Sequence, residues 1–386
     1  MIRVALGTAY PFDETQIHGG VEAVSYNLAN ALAATGEVDI HIVSISDCCP
    51  RDMVEVRDTF TIHWIHTRQR FGTLKAMTSH ARRVSKVYSK ISPDIIHAHQ
   101  FSAYAAGASD ICPLIMTVHG LEWFSPGMIE TSRYRGLLGL YRRLAEHILI
   151  KKSISRADTI ISIGGSFVPM LMGSALKGKE IRYIPNPIVI EDWIDIPPGH
   201  DDGNTVLCVG TINSRKNQIS LVRTMERISR VYPDSTLKLA GAVGDSEYKN
   251  SLLREGRALG VEDRIHFLGQ LDQKQLLEAY SKAAIVACPS LMETTPMAIA
   301  EAMLAGRPVV ATTVGAIPMM IEDGVSGYLH EPNDIAVMTK IICELLSDKS
   351  LRRKLGLVAR LRAKSMFAST AIADKTIVAY KELIKE

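Results

Sequence analysis

The chain has 386 residues, of which 47% are hydrophobic and 22% charged, with a formal net charge of +3. That length suits two domains, and the hydrophobic share excludes a disordered chain. An excess of three positive charges admits an acidic substrate or a membrane surface, but it does not signal nucleic acid.

The six cysteines, Cys48, Cys49, Cys112, Cys208, Cys288 and Cys343, form no CxxC pair and no framework spacing, which argues against a zinc site and a disulfide scaffold. No apolar run approaches the roughly 18–20 residues of a transmembrane helix. The opening MIRVALGTAYP reads as a first strand rather than a signal peptide, so the cytosol is the expected location.

In chain order, strands are expected at 2–7, 39–45, 60–66, 94–97, 114–118 and 159–163, with helical patterns at 20–35, 71–91 and 133–155. The stretch 183–204, rich in Pro and Asp, lacks periodicity and reads as linker. The alternation then restarts, with strands at 205–210, 236–240, 264–268, 284–288 and 308–311 and helices at 216–231, 245–259, 272–282, 296–305 and 315–322. Three further helical segments, 333–346, 350–365 and 369–385, close the chain.

Near-continuous apolar strands alternating with amphipathic helices predict parallel sheets covered on both faces. The expected organisation is a domain over 1–185, a linker at 186–204, a second domain over 205–366, and a helix at 367–386 returning to the first domain. Ligands of such sheets bind outside the carboxyl ends of the strands, which is where the chemistry-bearing residues fall.

Two groups stand out in the second half. In PSLMETTPMAIAEAMLAGRPVVAT, Thr295 can N-cap a helix, Pro296 suits its first turn, Gly306 its end, and Pro308 forbids its continuation. Glu293 then sits in the preceding loop and Glu301 on the second turn. Between them lie the free amides and positive dipole end of a helix, including the N–H groups of Met297 and Ala298. Carboxylates suit hydroxyls and amides suit an anion, so a sugar joined to a phosphate satisfies the whole set. In GTINSRKNQ, Arg215 and Lys216 open a helix after a strand, where adjacent cations suit a diphosphate; a solvated basic turn is the plainer alternative.

The Glu293–x7–Glu301 pair followed by EAMLAGRPVVAT resembles the signature of glycosyltransferase family 4, the group 1 retaining glycosyltransferases. GGVEAVSYNLANAL, DIIHAH, TVHG, IPNP, VGTINSRKN and DGVSGYLHEPND fall in the same order, so the resemblance covers nearly the whole chain.

It implies an α/β fold of GT-B type, with two Rossmann-like parallel-sheet domains facing across a cleft. It also implies retaining transfer of a sugar from a nucleoside diphosphate sugar to a hydroxyl of a lipid-linked, glycan or small-molecule acceptor. Lys216, helped by Arg215, would bind the donor diphosphate. Glu301 would hold the ribose and Glu293 the donor sugar, and Gly19 and Gly20 would let backbone approach the diphosphate. His119 would lie against the donor sugar. His99 and Asn186 are matches near the cleft with a structural alternative, and base contacts fall around Gly241 and Gly269.

Two departures stand out: Thr211, not arginine, follows Gly210, and ETTP replaces a glycine-rich loop after the first glutamate.

A cationic diphosphate site makes a metal redundant, and no DxD-like cluster occupies a strand end, so no cofactor is expected. Uridine is the base expected from family frequency, with guanosine next. Two segments, 71–90 and 135–152, combine apolar and basic stripes; each reads either as a solvated basic face or as peripheral contact with anionic membrane. A nucleotide-sugar epimerase and a non-catalytic sugar-nucleotide-binding homologue remain as alternatives. A dinucleotide oxidoreductase and a P-loop enzyme do not, because neither GxGxxG nor GxxxxGK[ST] follows a predicted strand.

Overall fold

The computed structural model describes residues 1–14, 17, 20–68, 79–100, 102–108, 111–119, 144, 148–164, 176–196 and 201–385. Gly19, residues 71–78 and most of 133–147 lie outside the described residues. The chain forms two units, Met1–Ile188 with Ser369–Glu386, and Val189–Ala368.

The first unit is built on an eight-stranded sheet of β1 (Ile2–Gly7), β2 (Val38–Ser46), β3 (Met53–Val56), β4 (Thr61–His66), β5 (Ile95–His99), β6 (Leu114–Val118), β7 (Thr159–Ser162) and β8 (Glu180–Tyr183). Its order is β3-β4-β2-β1-β5-β6-β7-β8, parallel throughout except for the antiparallel β3. Strands β5, β6 and β7 are buried at every position, as burial on both faces requires.

On one face Val4, Leu6, Ile40 and Ile42 pack with Leu28 and Leu32 of α1 (Gly20–Ala34). On the other, Ala5, Val43 and Ile96 pack with Val84 and Tyr88 of α2 (Ala81–Ile91). A short α3 (Ala103–Gly107) follows β5. Each fully buried Val, Leu or Ile among them contributes about 1.5–3 kcal/mol.

The second unit opens with α4 (Glu191–Ile194), which brings Trp193 into its interior, only 3% exposed. Within the 186–204 stretch, the boundary between the units falls between Ile188 and Val189. An all-parallel six-stranded sheet follows, in the order β11-β10-β9-β12-β13-β14. Its strands are β9 (Thr205–Val209), β10 (Thr236–Ala240), β11 (Ile265–Gly269), β12 (Ile285–Cys288), β13 (Val309–Thr312) and β14 (Tyr328–His330).

The helices are α5 (Gln218–Val231), α6 (Ser246–Ala258), α7 (Gln273–Lys282), α8 (Met297–Leu304), α9 (Ile317–Met320), α10 (Ile335–Ser347) and α11 (Lys349–Phe367). The last helix, α12 (Ser369–Lys385), belongs to the first unit, where it packs on α1 and buries Ile377 and Tyr380.

Three strands escape the sequence pattern. β3 and β8 lie at sheet edges with mixed burial, and β14 has three residues, so none shows a sustained apolar run. Among the described residues, no helix is long and apolar enough to cross a membrane.

Candidate active site

Of the second-unit residues singled out from sequence, Arg215, Lys216 and Glu293 come together after β9 and β12, while the described hydrogen bond of Glu301 is a separate one to Tyr280. Arg215 and Lys216 lie not on the following helix but on a 3-10 turn, Ser214–Lys216. Asn213 caps that turn, its side-chain oxygen accepting from the Lys216 amide at 3.1 Å. Asn217 then adopts the left-handed conformation, with φ of 54°, and restarts the chain as α5 at Gln218. Asparagine tolerates this conformation better than most residues. The turn is tied to the loop after β12: the Leu291 backbone amide donates to the Arg215 carbonyl at 2.9 Å, and the Asn217 side-chain Nδ2 to the Pro289 carbonyl at 3.1 Å.

Within this frame Lys216 Nζ donates to Glu293 Oε1 at 2.5 Å. Ser290 Oγ donates to the same oxygen at 2.8 Å, and Arg215 Nη1 reaches Glu293 Oε2 at 3.5 Å and the Met292 carbonyl at 3.1 Å. The pair is shielded, with side chains 14% and 7% exposed. Burial works to lower the lysine's pKa, Glu293 beside it works to raise it, and the net direction is upward, so the ammonium stays charged. The aliphatic end of Lys216 lies over Gly210: a Cβ there would sit 3.1 Å from Cε.

Thr295 does not cap α8. Pro296 is the N-cap residue, in an extended conformation, and Met297 and Ala298 form the first helical turn. Glu301 lies on the second turn, half-buried. Its Oε2 accepts from Tyr280 Oη at 2.9 Å, and the same hydroxyl donates to the Ala298 carbonyl at 3.0 Å. Burial pushes the Glu301 carboxyl up to about 6, with the Tyr280 hydrogen bond pulling the other way. The far end of α8 is held by Arg360, whose Nε donates to the Leu304 carbonyl at 2.7 Å.

Gly241 and Gly269 stand at the ends of β10 and β11, joined by a 2.7 Å bond from the Gly241 amide to the Gly269 carbonyl. At Gly241, with φ of 144°, a Cβ would lie 2.2 Å from the Gly210 carbonyl oxygen, so the strand ends approach closely enough to require glycine.

Two contributors went unnoticed in the sequence. Tyr280 sits in QKQLLEAYSK, where its spacing reads only as core. Gly315, with φ of 61°, passes so near the Glu293 carbonyl that a Cβ would lie 1.7 Å from it. Its glycine in TTVGAIP was the available signal.

The first-unit candidates form a separate group. His99 is 2% exposed, its Nδ1 2.9 Å from Thr8 Oγ1. His119 follows β6 and meets the His99 ring edge-to-face, with centroids 4.6 Å apart. Burial pushes His119 down to about 4. Asn186 beside it works the other way, although neither His119 nitrogen is in hydrogen-bond geometry with a described residue. His97 is held by Tyr380 Oη at 2.7 Å and Thr117 Oγ1 at 2.6 Å, and burial, with His119 nearby, pushes it down to about 3. Asn186 and the three rings help line a cavity of about 20 Å³. Gly20, the first residue of α1, is exposed.

Among the described residues, no group of three or more His, Cys, Asp or Glu is arranged to hold a metal ion.

The family model described as "Glycosyl transferases group 1" matches residues 189–362, and that described as "Glycosyltransferase Family 4" matches 18–192. The chain is 25% identical over 412 aligned residues to the alpha-maltose-1-phosphate synthase of Mycolicibacterium smegmatis, covering 99% of this chain and 100% of that protein. The structure of sucrose-phosphate synthase from Thermosynechococcus elongatus superposes with a TM-score of 0.83 at 21% identity, covering all of both chains. The structure of Anabaena HepE in complex with UDP superposes with a TM-score of 0.74 at 19% identity, covering 99% of this chain and 100% of that one. With two parallel-sheet α/β units and family models spanning both, the chain has the GT-B architecture and belongs to glycosyltransferase family 4, the group 1 glycosyltransferases.

Proposed function

We propose that this glycosyltransferase moves a sugar from a nucleoside diphosphate sugar to an acceptor hydroxyl with retention at the anomeric carbon, without a metal. A uridine donor is favoured, guanosine next, and the acceptor is a lipid-linked, glycan or small-molecule hydroxyl compound. The observation that carries the reading is the contact of Lys216 and Arg215 with Glu293 at adjoining strand ends, beside the helix bearing Glu301. Support for the uridine base comes from HepE, solved in complex with UDP and with UDP-glucose.

In the proposed reaction the bond from the anomeric carbon to the diphosphate oxygen breaks. The acceptor oxygen bonds to that carbon on the face the diphosphate leaves. The acceptor proton passes to a diphosphate oxygen, so no side-chain nucleophile is needed. Negative charge growing on the diphosphate is met by Lys216, Arg215 and the N-terminal turn of α8 at Met297 and Ala298, a preorganised electrostatic contribution of a few kcal/mol per donor. Lys216 has three N–H donors and spends one on Glu293, so it can hold the phosphate and orient the carboxylate together. Glu293 then faces the sugar hydroxyls, and Glu301 the ribose.

A thermal-shift panel of nucleoside diphosphates and their sugars tests this reading. Stabilisation by several degrees with one base identifies the donor class by mass action. No shift with any member of the panel overturns the donor assignment.

A further inference from the structure

We propose that Tyr280 is a positioning residue for nucleotide recognition: its hydroxyl fixes the plane of the Glu301 carboxylate and so sets how strongly the enzyme prefers ribose to deoxyribose. This rests on the reading of Glu301 as the ribose ligand. A carboxylate that receives two vicinal hydroxyls must turn its plane so that both oxygens face them, and rotation about its last bond is otherwise soft.

Tyr280 restrains that rotation. Its hydroxyl is shared between Glu301 Oε2 and the Ala298 carbonyl three residues earlier, so it binds the carboxylate and the backbone of the same helix together. Its side chain is fully buried on α7 and meets Trp193 edge-to-face at 5.4 Å, which leaves the hydroxyl little freedom of its own. The Tyr280 contact engages Oε2 and leaves Oε1 outside it, open to the ligand. A core tyrosine with no further role could satisfy its hydroxyl on the Ala298 carbonyl alone.

The test compares binding of a ribonucleoside diphosphate and its 2′-deoxy counterpart to the wild-type protein, Tyr280→Phe and Glu301→Ala, using the base selected by the thermal-shift panel. Tyr280→Phe keeps the ring and the Trp193 contact. The wild type prefers the ribonucleotide, and Glu301→Ala removes the preference. Tyr280→Phe reduces it about threefold to tenfold, the scale of one hydrogen bond. The Tyr280→Phe effect appears in KM for the donor, with kcat at saturating donor little changed, which a general loosening of the fold would not produce.

If Glu301→Ala removes the preference and Tyr280→Phe leaves it intact, the positioning role is overturned while the ribose assignment stands. If Glu301→Ala leaves the preference intact, the ribose assignment fails and the proposal with it. Should Tyr280→Phe fail to fold, Trp193→Phe, which loosens the ring contact that holds Tyr280 in place, is read the same way; an undiminished preference overturns the proposal.

Discussion

Lys216 Nζ stands 2.5 Å from Glu293 Oε1 across 77 residues of sequence, joining the loop after β9 to the loop after β12. Each partner alone would be a poorly solvated charge, and together they form a cation held in place by a carboxylate. Removing one leaves the other shielded and uncompensated, which is the costly way to break such a pair. Arg215, at 3.5 Å from the second carboxylate oxygen, offsets only part of that loss.

Lys216→Ala is therefore expected to lower kcat by about 10²–10³, the scale of losing one preorganised donor to developing charge. Turnover at saturating donor, beside a melting curve to exclude unfolding, measures this. Near-normal turnover contradicts the role.

Gly315→Ala places a methyl group where the Glu293 carbonyl already lies, at a backbone angle that favours glycine. Either the Gly315 turn or the loop bearing Glu293 must shift. We expect a stability loss of about 1–3 kcal/mol, with donor turnover falling by more than that loss alone explains. Urea unfolding and donor kinetics on one preparation separate the two effects.

Interior strands were legible in the sequence because burial on both faces leaves an unbroken apolar run, as in Ile285–Cys288, or Leu114–Val118 in the first unit. β8 could not be seen, since an edge strand whose Ile181 and Tyr183 are exposed has no burial pattern to display. The charged pair was legible as residue types, but its contact was not. The start of α5 moved because Asn217 takes a left-handed conformation, a choice that periodicity does not reveal. Tyr280 and Gly315 matter only through what tertiary folding brings beside them, so local spacing carried no trace of their roles.

Nucleotide affinity should fall as the pH is lowered. The Glu301 carboxyl, pushed up to about 6, accepts ribose hydroxyls best when ionised. At pH 5 only about a tenth would remain ionised, so the apparent Kd rises about tenfold from its value above pH 7. Its effect on stability has the opposite sign: the contribution is complete below the ordinary value of 4.5 and lost as pH rises through about 6. Calorimetric titration across this range, with Glu301→Gln as the flat control, checks the affinity trend.

The buried histidines act on stability in the other direction. His97 is pushed down to about 3 and His119 to about 4, from an ordinary 6.5. Each contributes stability that is complete above pH 6.5 and lost as pH falls towards its folded value. The slope should approach about 1.4 kcal/mol per pH unit for each histidine in that window. Urea midpoints between pH 7 and 5 should fall, and His119→Asn should remove one histidine's share of the slope.

The role of Lys216 at the diphosphate is tested most directly by the affinity of the preferred nucleoside diphosphate relative to its unphosphorylated nucleoside, measured by calorimetry in the wild type, Lys216→Ala and Glu301→Gln. Lys216→Ala should lose most of the advantage of the diphosphate, while Glu301→Gln should weaken both ligands and largely keep it. An advantage that survives intact in Lys216→Ala would contradict the assignment of Lys216 to the donor diphosphate.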